Sequence, residues 1–249
     1  MEKLLTIENV TGGYQRSRPV LHDISFSVYS HEIVGLIGLN GAGKSTTIKH
    51  VLGLMDPQKG EVRLAGKTYA ESGDLYRQAL AYIPEMPLLY DELTLWEHLE
   101  LTAMAYDLEE ETFKERAHQL LKEFRMEKMV KWFPSHFSKG MRQKVMIMCA
   151  FLVRPSVYVA DEPFVGLDPI GIRSFLDQML AMKEQGCGIL MSTHILATAE
   201  KYCDRFILLH EGRILLQGTL VELQKEANMP GADLDEIYVE MTKEDKHAN

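Results

Sequence analysis

The chain opens with alternation. In LLTIENV (residues 4–10) and VLHDISFSV (20–28) apolar side chains recur at about every second position, the pattern of half-buried strands, which predicts a small antiparallel layer. EIVGLIG (32–38) is a denser apolar run of the kind found in strands covered on both faces, and it leads directly into glycines and a helical segment from Lys44 to about Leu54. After the DPQKG turn, EVRLAG (61–66) reads as a strand and ALAYIP (79–84) as another, ended by Pro84. Thr94 then sits where it can cap LWEHLELTAMAY, and a second helix is predicted from about Glu110 to Phe124.

The apolar strands return at VYVAD (157–161), CGILMST (187–193) and DRFILLH (204–210), with helices between them from about Gly171 to Glu184 and after His194. Strands alternating with helices imply a parallel sheet, so the fold class is α/β: a mostly parallel core sheet, an antiparallel β layer and a helical lobe. Glu211 and Gly212 between FILLH and RILLQG mark a terminal hairpin. We expect one discontinuous core domain from residues 1–86 and 156–225, the helical lobe at 87–155, and a polar tail at 226–249 holding one amphipathic stretch, DLDEIYVEM.

Length and composition narrow this picture without altering it. A chain of 249 residues buries one substantial core, or one core plus a smaller lobe. Hydrophobic residues at 46% and charged residues at 25% are at the globular average. The net charge of -9 argues against a nucleic-acid partner, which needs clustered Lys and Arg. Cys149, Cys187 and Cys203 are widely spaced, odd in number and flanked by apolar residues, so they are read as buried reduced thiols in a reducing, cytoplasmic compartment. No apolar run suits a signal peptide or a membrane span, and the chain is expected to be neither secreted nor membrane-spanning.

The chemistry concentrates in three places. GLNGAGKS (38–45) fits G-x-x-x-x-G-K-[ST] between a buried strand and a helix start. Gly38, Gly41 and Gly43 let the backbone curl so that its N–H groups surround a polyphosphate, while the following helix points its positive dipole end at the same charge. Lys44 is placed to reach the β- and γ-phosphates and the Ser45 hydroxyl to ligate Mg²⁺. An ordinary glycine turn would require neither the Lys-Ser pair nor the flanking strand and helix.

In VYVADEP, Asp161 ends an apolar strand where it can hold the Mg²⁺ shell, and Glu162 can polarise an attacking water; the bland alternative is that both cap the next helix. HFSKGMRQK (136–144) heads the helix Met141 to Val153, and Ser138 with Gly140 offers a hydroxyl and free N–H groups to a second anion. One triphosphate does not need two helix starts from the same chain, whereas two chains facing head to tail would each offer this one to the other. An ordinary capped helix is the alternative.

These elements, in this order, resemble the ATP-binding cassette family of ABC transporter ATPases over residues 1 to about 225. The resemblance implies a P-loop NTPase fold, with ATP and Mg²⁺ as cofactors. GLNGAGKS is similar to the Walker A loop, with Gly38, Asn40, Gly41, Ala42, Gly43, Lys44, Ser45 and Thr46 as nucleotide-binding positions. VYVADE resembles the Walker B strand with Asp161 on the metal and Glu162 catalytic, and FSKGM occupies the place of the signature sequence. Asp168 in GLD looks like the loop that crosses a dimer interface, His194 in MSTHIL like the switch histidine, and Tyr14 in VTGGY like the aromatic that stacks on adenine. On its own, Tyr14 could be a surface tyrosine and His194 a structural histidine.

Two positions depart from the family pattern. Glu85 in YIPE stands where many members have glutamine, and Lys139 in FSKGM replaces a small residue. With GLDPIGI (166–172) around Asp168, both look like the branch of single-domain ATPases that serve exporters. The resemblance implies an ATP-hydrolysing subunit that pairs with a second copy of itself and drives a separate multi-spanning membrane subunit from the cytoplasmic face, bound peripherally. Its partner would dock by a short helix near Glu85, where Leu88, Leu89, Tyr90, Leu93 and Trp96 form an apolar cluster that could equally be core packing. Two other readings are a soluble cassette acting on ribosomes or DNA, and a cassette that signals to a membrane protein without transport.

Overall fold

The computed structural model describes residues 1–247. Along the chain run β1 (Lys3–Gly12), β2 (Leu21–Tyr29), β3 (Glu32–Ile37), α1 (Lys44–Val51), β4 (Lys59–Leu64), α2 (Gly73–Gln78) and β5 (Leu80–Ile83). Then come α3 (Leu95–Ala105), α4 (Glu110–Glu123), α5 (Lys139–Val153), β6 (Val157–Asp161), α6 (Pro169–Glu184), β7 (Gly188–Thr193) and α7 (Leu196–Tyr202). The chain continues through β8 (Arg205–His210), β9 (Arg213–Gly218), α8 (Leu220–Glu226) and α9 (Leu234–His247).

The alternating segments form a three-stranded antiparallel sheet in the order β2-β1-β4. The dense apolar runs form a six-stranded sheet in the order β5-β6-β7-β3-β8-β9, parallel except for the hairpin strand β9. Burial follows the periodicity. β3, β6 and β7 are buried at every position, while β2 alternates. One apolar cluster, with Val34, Leu36 and Ile48, fills the space between the two sheets. A second joins the opposite face of the parallel sheet to the helical lobe through Phe124, Phe151, Tyr158 and Phe175.

The first helix of this segment, α3, is capped by Thr94 as the sequence implies. Thr94 accepts from the Glu97 N–H while Glu97 reaches back to the Thr94 N–H, a reciprocal cap. Other boundaries moved: α1 stops at Val51 rather than near Leu54, and α5 and α6 begin two residues earlier than expected, at Lys139 and Pro169. The tail is not a loose appendage. Leu234, Ile237 and Tyr238 of α9 are buried against Ile37, Leu208 and Leu223 in a third apolar cluster. All three cysteines are free, but only Cys187 is buried; Cys149 and Cys203 are half-buried. Desolvation pushes the Cys149 thiol up to about 11 and Cys203 up to about 12, so both stay protonated at neutral pH.

Candidate functional site

Three neighbouring strand ends build the site. β3 feeds the loop 38–43, β6 ends on Asp161, and β7 ends on Thr193 just before His194. Their registers place Ile37 opposite Thr193 and Asp161 opposite Ser192, so all three chemical segments leave the sheet at the carboxyl ends of parallel strands. Gly43 is the turning point of the loop: its φ of 110° is left-handed, and a Cβ there would meet the Leu21 side chain at 2.8 Å. From that turn α1 starts at Lys44, with Ser45 and Thr46 in its first turn.

The loop, the start of α1 and Tyr14 enclose a cavity of about 330 Å³ lined by Tyr14, Val20, Leu39, Asn40, Gly41, Gly43, Lys44, Ser45 and Thr46. Tyr14 is 63% exposed, and its hydroxyl accepts a 3.0 Å hydrogen bond from Lys49 Nζ, which holds the phenol below its ordinary range. Ala42 does not line this cavity. It is buried, its N–H donates to the Leu39 carbonyl at 3.1 Å, and its carbonyl accepts from Gly212 N–H at 2.9 Å, so it shapes the loop from behind.

Lys44 is buried, donates 2.7 Å to the Gly38 carbonyl, and lies 3.5 Å from Glu162 Oε1. Glu162 is also buried, with a left-handed φ of 46° that costs a non-glycine residue roughly 1 kcal/mol or more. Ser192 stabilises that turn twice over, its carbonyl accepting from Glu162 N–H at 3.1 Å and its hydroxyl at 3.2 Å. The same hydroxyl donates to Asp161 Oδ1 at 2.5 Å. His194 Nδ1 is 2.8 Å from Glu162 Oε2. Among the described residues Glu162 Oε1 has no hydrogen-bond partner, so the Lys44 contact is a charge pair and an acceptor remains free in the site.

That free acceptor and the donor set suit a hydrated divalent cation. Among the described residues no three His, Cys, Asp or Glu converge as a cage. Ser45 and Asp161 would supply the few protein oxygens that Mg²⁺ takes when phosphates and water complete its shell.

Ser138 and Gly140 are absent from the residues lining the loop cavity, as are Glu85 and Asp168. Ser138 caps α5, accepting from Met141 N–H at 3.2 Å. Gly140, the second helical residue, touches the segment 166–168 so closely that a Cβ would stand 2.5 Å from the Gly166 carbonyl oxygen. Lys139, the unusual cation, lies along the same glycine. Lys144 Nζ is 3.1 Å from Asp168 Oδ2, and Asp168 caps α6 through Gly171 N–H at 2.6 Å. Gly171 first, then Lys144, keeps the Asp168 carboxyl below its ordinary range. Gln143 Nε2 donates 2.9 Å to the Pro84 carbonyl, one residue before Glu85.

Sequence reasoning overlooked Val20, Lys49, Gln143, Lys144 and Ser192. Only Lys144 and Gln143 gave any signal, as polar residues within an apolar-periodic helix. The apolar cluster near Glu85 also divides: Leu88 and Tyr90 are exposed, while Leu89 and Trp96 pack on the lobe core. The recess at the lobe boundary is elsewhere. It is a cavity of about 480 Å³ lined by Leu52, Leu54, Asp74, Arg77, Gln78, Leu80, Tyr82, Ala105 and Tyr106. Among the described residues no helix is long and apolar enough to cross a membrane.

Comparison with known proteins is consistent with this geometry. A family model described as ABC transporter matches residues 21–165. The ABC-type transporter ATP-binding protein EcsA of Bacillus subtilis is 61% identical over 97% of this chain and 98% of its own, in line with the Ecs type among the exporter-serving ATPases that the sequence resembles. The SkfA peptide export ATP-binding protein SkfE of the same organism is 34% identical over 90% of this chain and 93% of its own. A solved ATP-binding subunit of an ABC transporter superposes with a TM-score of 0.94 at 54% identity, covering 96% of this chain and 99% of that one.

Proposed function

The chain belongs to the ATP-binding subunits of ABC transporters, and from that membership we propose that two copies close head to tail around two Mg-ATP and hydrolyse them to drive export through a separate multi-spanning membrane subunit. The observation that carries the pairing is the separation of the two anion sites: the loop cavity contains neither Ser138 nor Gly140 among its lining residues. A second chain would bring both to the phosphate that Lys44 holds.

Ser45 and Asp161 would hold Mg²⁺, which would supply charge neutralisation at the phosphate oxygens. The remaining work belongs to the chain. Phosphate oxygens offer Lys44 stronger, charged acceptors than the Gly38 carbonyl it now meets. Release of Lys44 from the Glu162 pair leaves that carboxylate free to take a proton from water through Oε1. His194, at Oε2, fixes the carboxylate's rotation. Tyr14 at the cavity wall provides an aromatic face for adenine.

Export and a position on the cytoplasmic face of the membrane are supported by the likeness to SkfE, whose name states peptide export, and by the recess at the lobe boundary. With Leu54 at its rim and Tyr82 and Tyr106 inside, that recess suits a short amphipathic helix of a membrane subunit.

The chemical assignment is tested by Glu162→Gln and Lys44→Ala. Glu162→Gln should retain nucleotide affinity while turnover falls by a factor on the order of 10² to 10⁴, the usual worth of a general base. Lys44→Ala should weaken binding and turnover together. Normal turnover in Glu162→Gln would remove that residue from the role of base.

A further inference from the structure

We infer that Tyr238 is a positioning residue of the nucleotide site: α9 delivers its hydroxyl to the back of the phosphate loop, where it fixes the backbone at Leu39. The hydroxyl accepts from Leu39 N–H at 3.0 Å and donates to the Leu209 carbonyl at 3.3 Å, joining the loop to the end of β8. Leu39 is a point of leverage, because its own carbonyl accepts from Ala42 N–H at 3.1 Å and lies 3.5 Å from Lys44 Nζ. Tyr238 is thus one residue removed from the cation that meets phosphate.

The side chain is 4% exposed within an otherwise apolar cluster that includes Ile37, Leu208, Leu234 and Ile237. A phenylalanine would fill the same space without burying a polar oxygen, which is costly unless it is hydrogen-bonded. The hydroxyl therefore matters through its two bonds. The helix does not depend on them for its place: Leu234 and Ile237 are fully buried, and Leu234 N–H donates to Glu200 Oε2 at 2.8 Å. Holding Leu39 before nucleotide arrives lowers the ordering cost of binding. Asp161, Glu162 and His194 leave other strands, so the chemical step should be little affected.

The inference rests on the reading of residues 38–45 as the ATP loop. The test is titration of full-length protein with a fluorescent N-methylanthraniloyl ATP and Mg²⁺, together with steady-state hydrolysis and thermal unfolding. Three chains are compared: the parent, Tyr238→Phe and Ile237→Val. The parent should bind. Tyr238→Phe should bind about fivefold more weakly, the loss of the partly buried hydrogen bond to Leu39 N–H being worth about 1 kcal/mol, with kcat within about twofold of the parent. Ile237→Val, which loosens the same helix without touching the loop, should melt earlier and bind as the parent does. Parent-like affinity in Tyr238→Phe would overturn the inference, and so would an equal loss of affinity in Ile237→Val, since Tyr238 would then act only as packing. A parent chain that does not bind would instead overturn the assignment of the loop, and the inference with it.

Discussion

Ser192 is the residue on which most of the chemistry converges. Its hydroxyl holds Asp161, and its hydroxyl and carbonyl both accept from Glu162 N–H, supporting a strained left-handed turn. Ser192→Ala should therefore raise the Mg²⁺ concentration needed for half-maximal hydrolysis by roughly tenfold, as outer-shell partners of a metal site typically do; hydrolysis rate against Mg²⁺ measures it. Lys44 was legible through its glycine-rich motif, and Asp161 and Glu162 as paired acids at the end of an apolar strand, where charge is costly without a purpose; His194 was legible only through the family resemblance. Ser192 was not. A small hydroxyl inside a buried strand carries no period and no charge, and only the register of β6 against β7 reveals its partner. Lys139 stood out in the sequence as a departure from the family pattern, but the packing of its stem beside Gly166 did not.

At the scale of elements, the start of α5 and the segment 166–168 are packed and ion-paired together. Gly140 permits the close approach to Gly166, and Lys144 ties α5 to Asp168. Gly140→Ala should force these segments apart and lower kcat, with nucleotide affinity of the isolated chain unchanged, since Gly140 does not line the loop cavity. Binding and turnover assays on the same preparation separate the two effects. Asp168→Asn should destabilise the chain near neutral pH. The Asp168 carboxyl is held below its ordinary range, so its stabilisation is present above the unfolded value of about 3.9 and lost as pH falls through the lower folded value. The stability gap between parent and variant, followed by denaturant unfolding, should close at acid pH.

Elements with a clear period or cap were readable: α3 through Thr94 and Glu97, and the fully apolar strands. α8 was overlooked although Thr219 and Glu222 form the same reciprocal cap. α2 spans only six residues, too short for a period to emerge. The 480 Å³ recess was illegible because its lining comes from the turn after α1, from α2 and β5, and from the C-terminal end of α3.

Across the whole molecule, three apolar clusters position two sheets, a helical lobe and the C-terminal helix around one loop. The amphipathic stretch of the tail packs on its own domain, directly behind the loop at Leu39. If the recess receives a membrane subunit, Leu54→Glu or Tyr106→Glu should reduce recovery of the chain with membranes containing that subunit, while hydrolysis by the isolated chain stays within about twofold. Such substitutions place a charge where an apolar face is covered. The central claim is that nucleotide joins two copies through complementary halves of a site. Sedimentation velocity of the Glu162→Gln chain with and without Mg-ATP tests it most directly. A 28.4 kDa monomer should become a dimer only with Mg-ATP, and Ser138→Arg in the same chain should restore the monomer while nucleotide still binds. A nucleotide-bound chain that remains monomeric, or a dimer indifferent to nucleotide and to Ser138, would contradict the account.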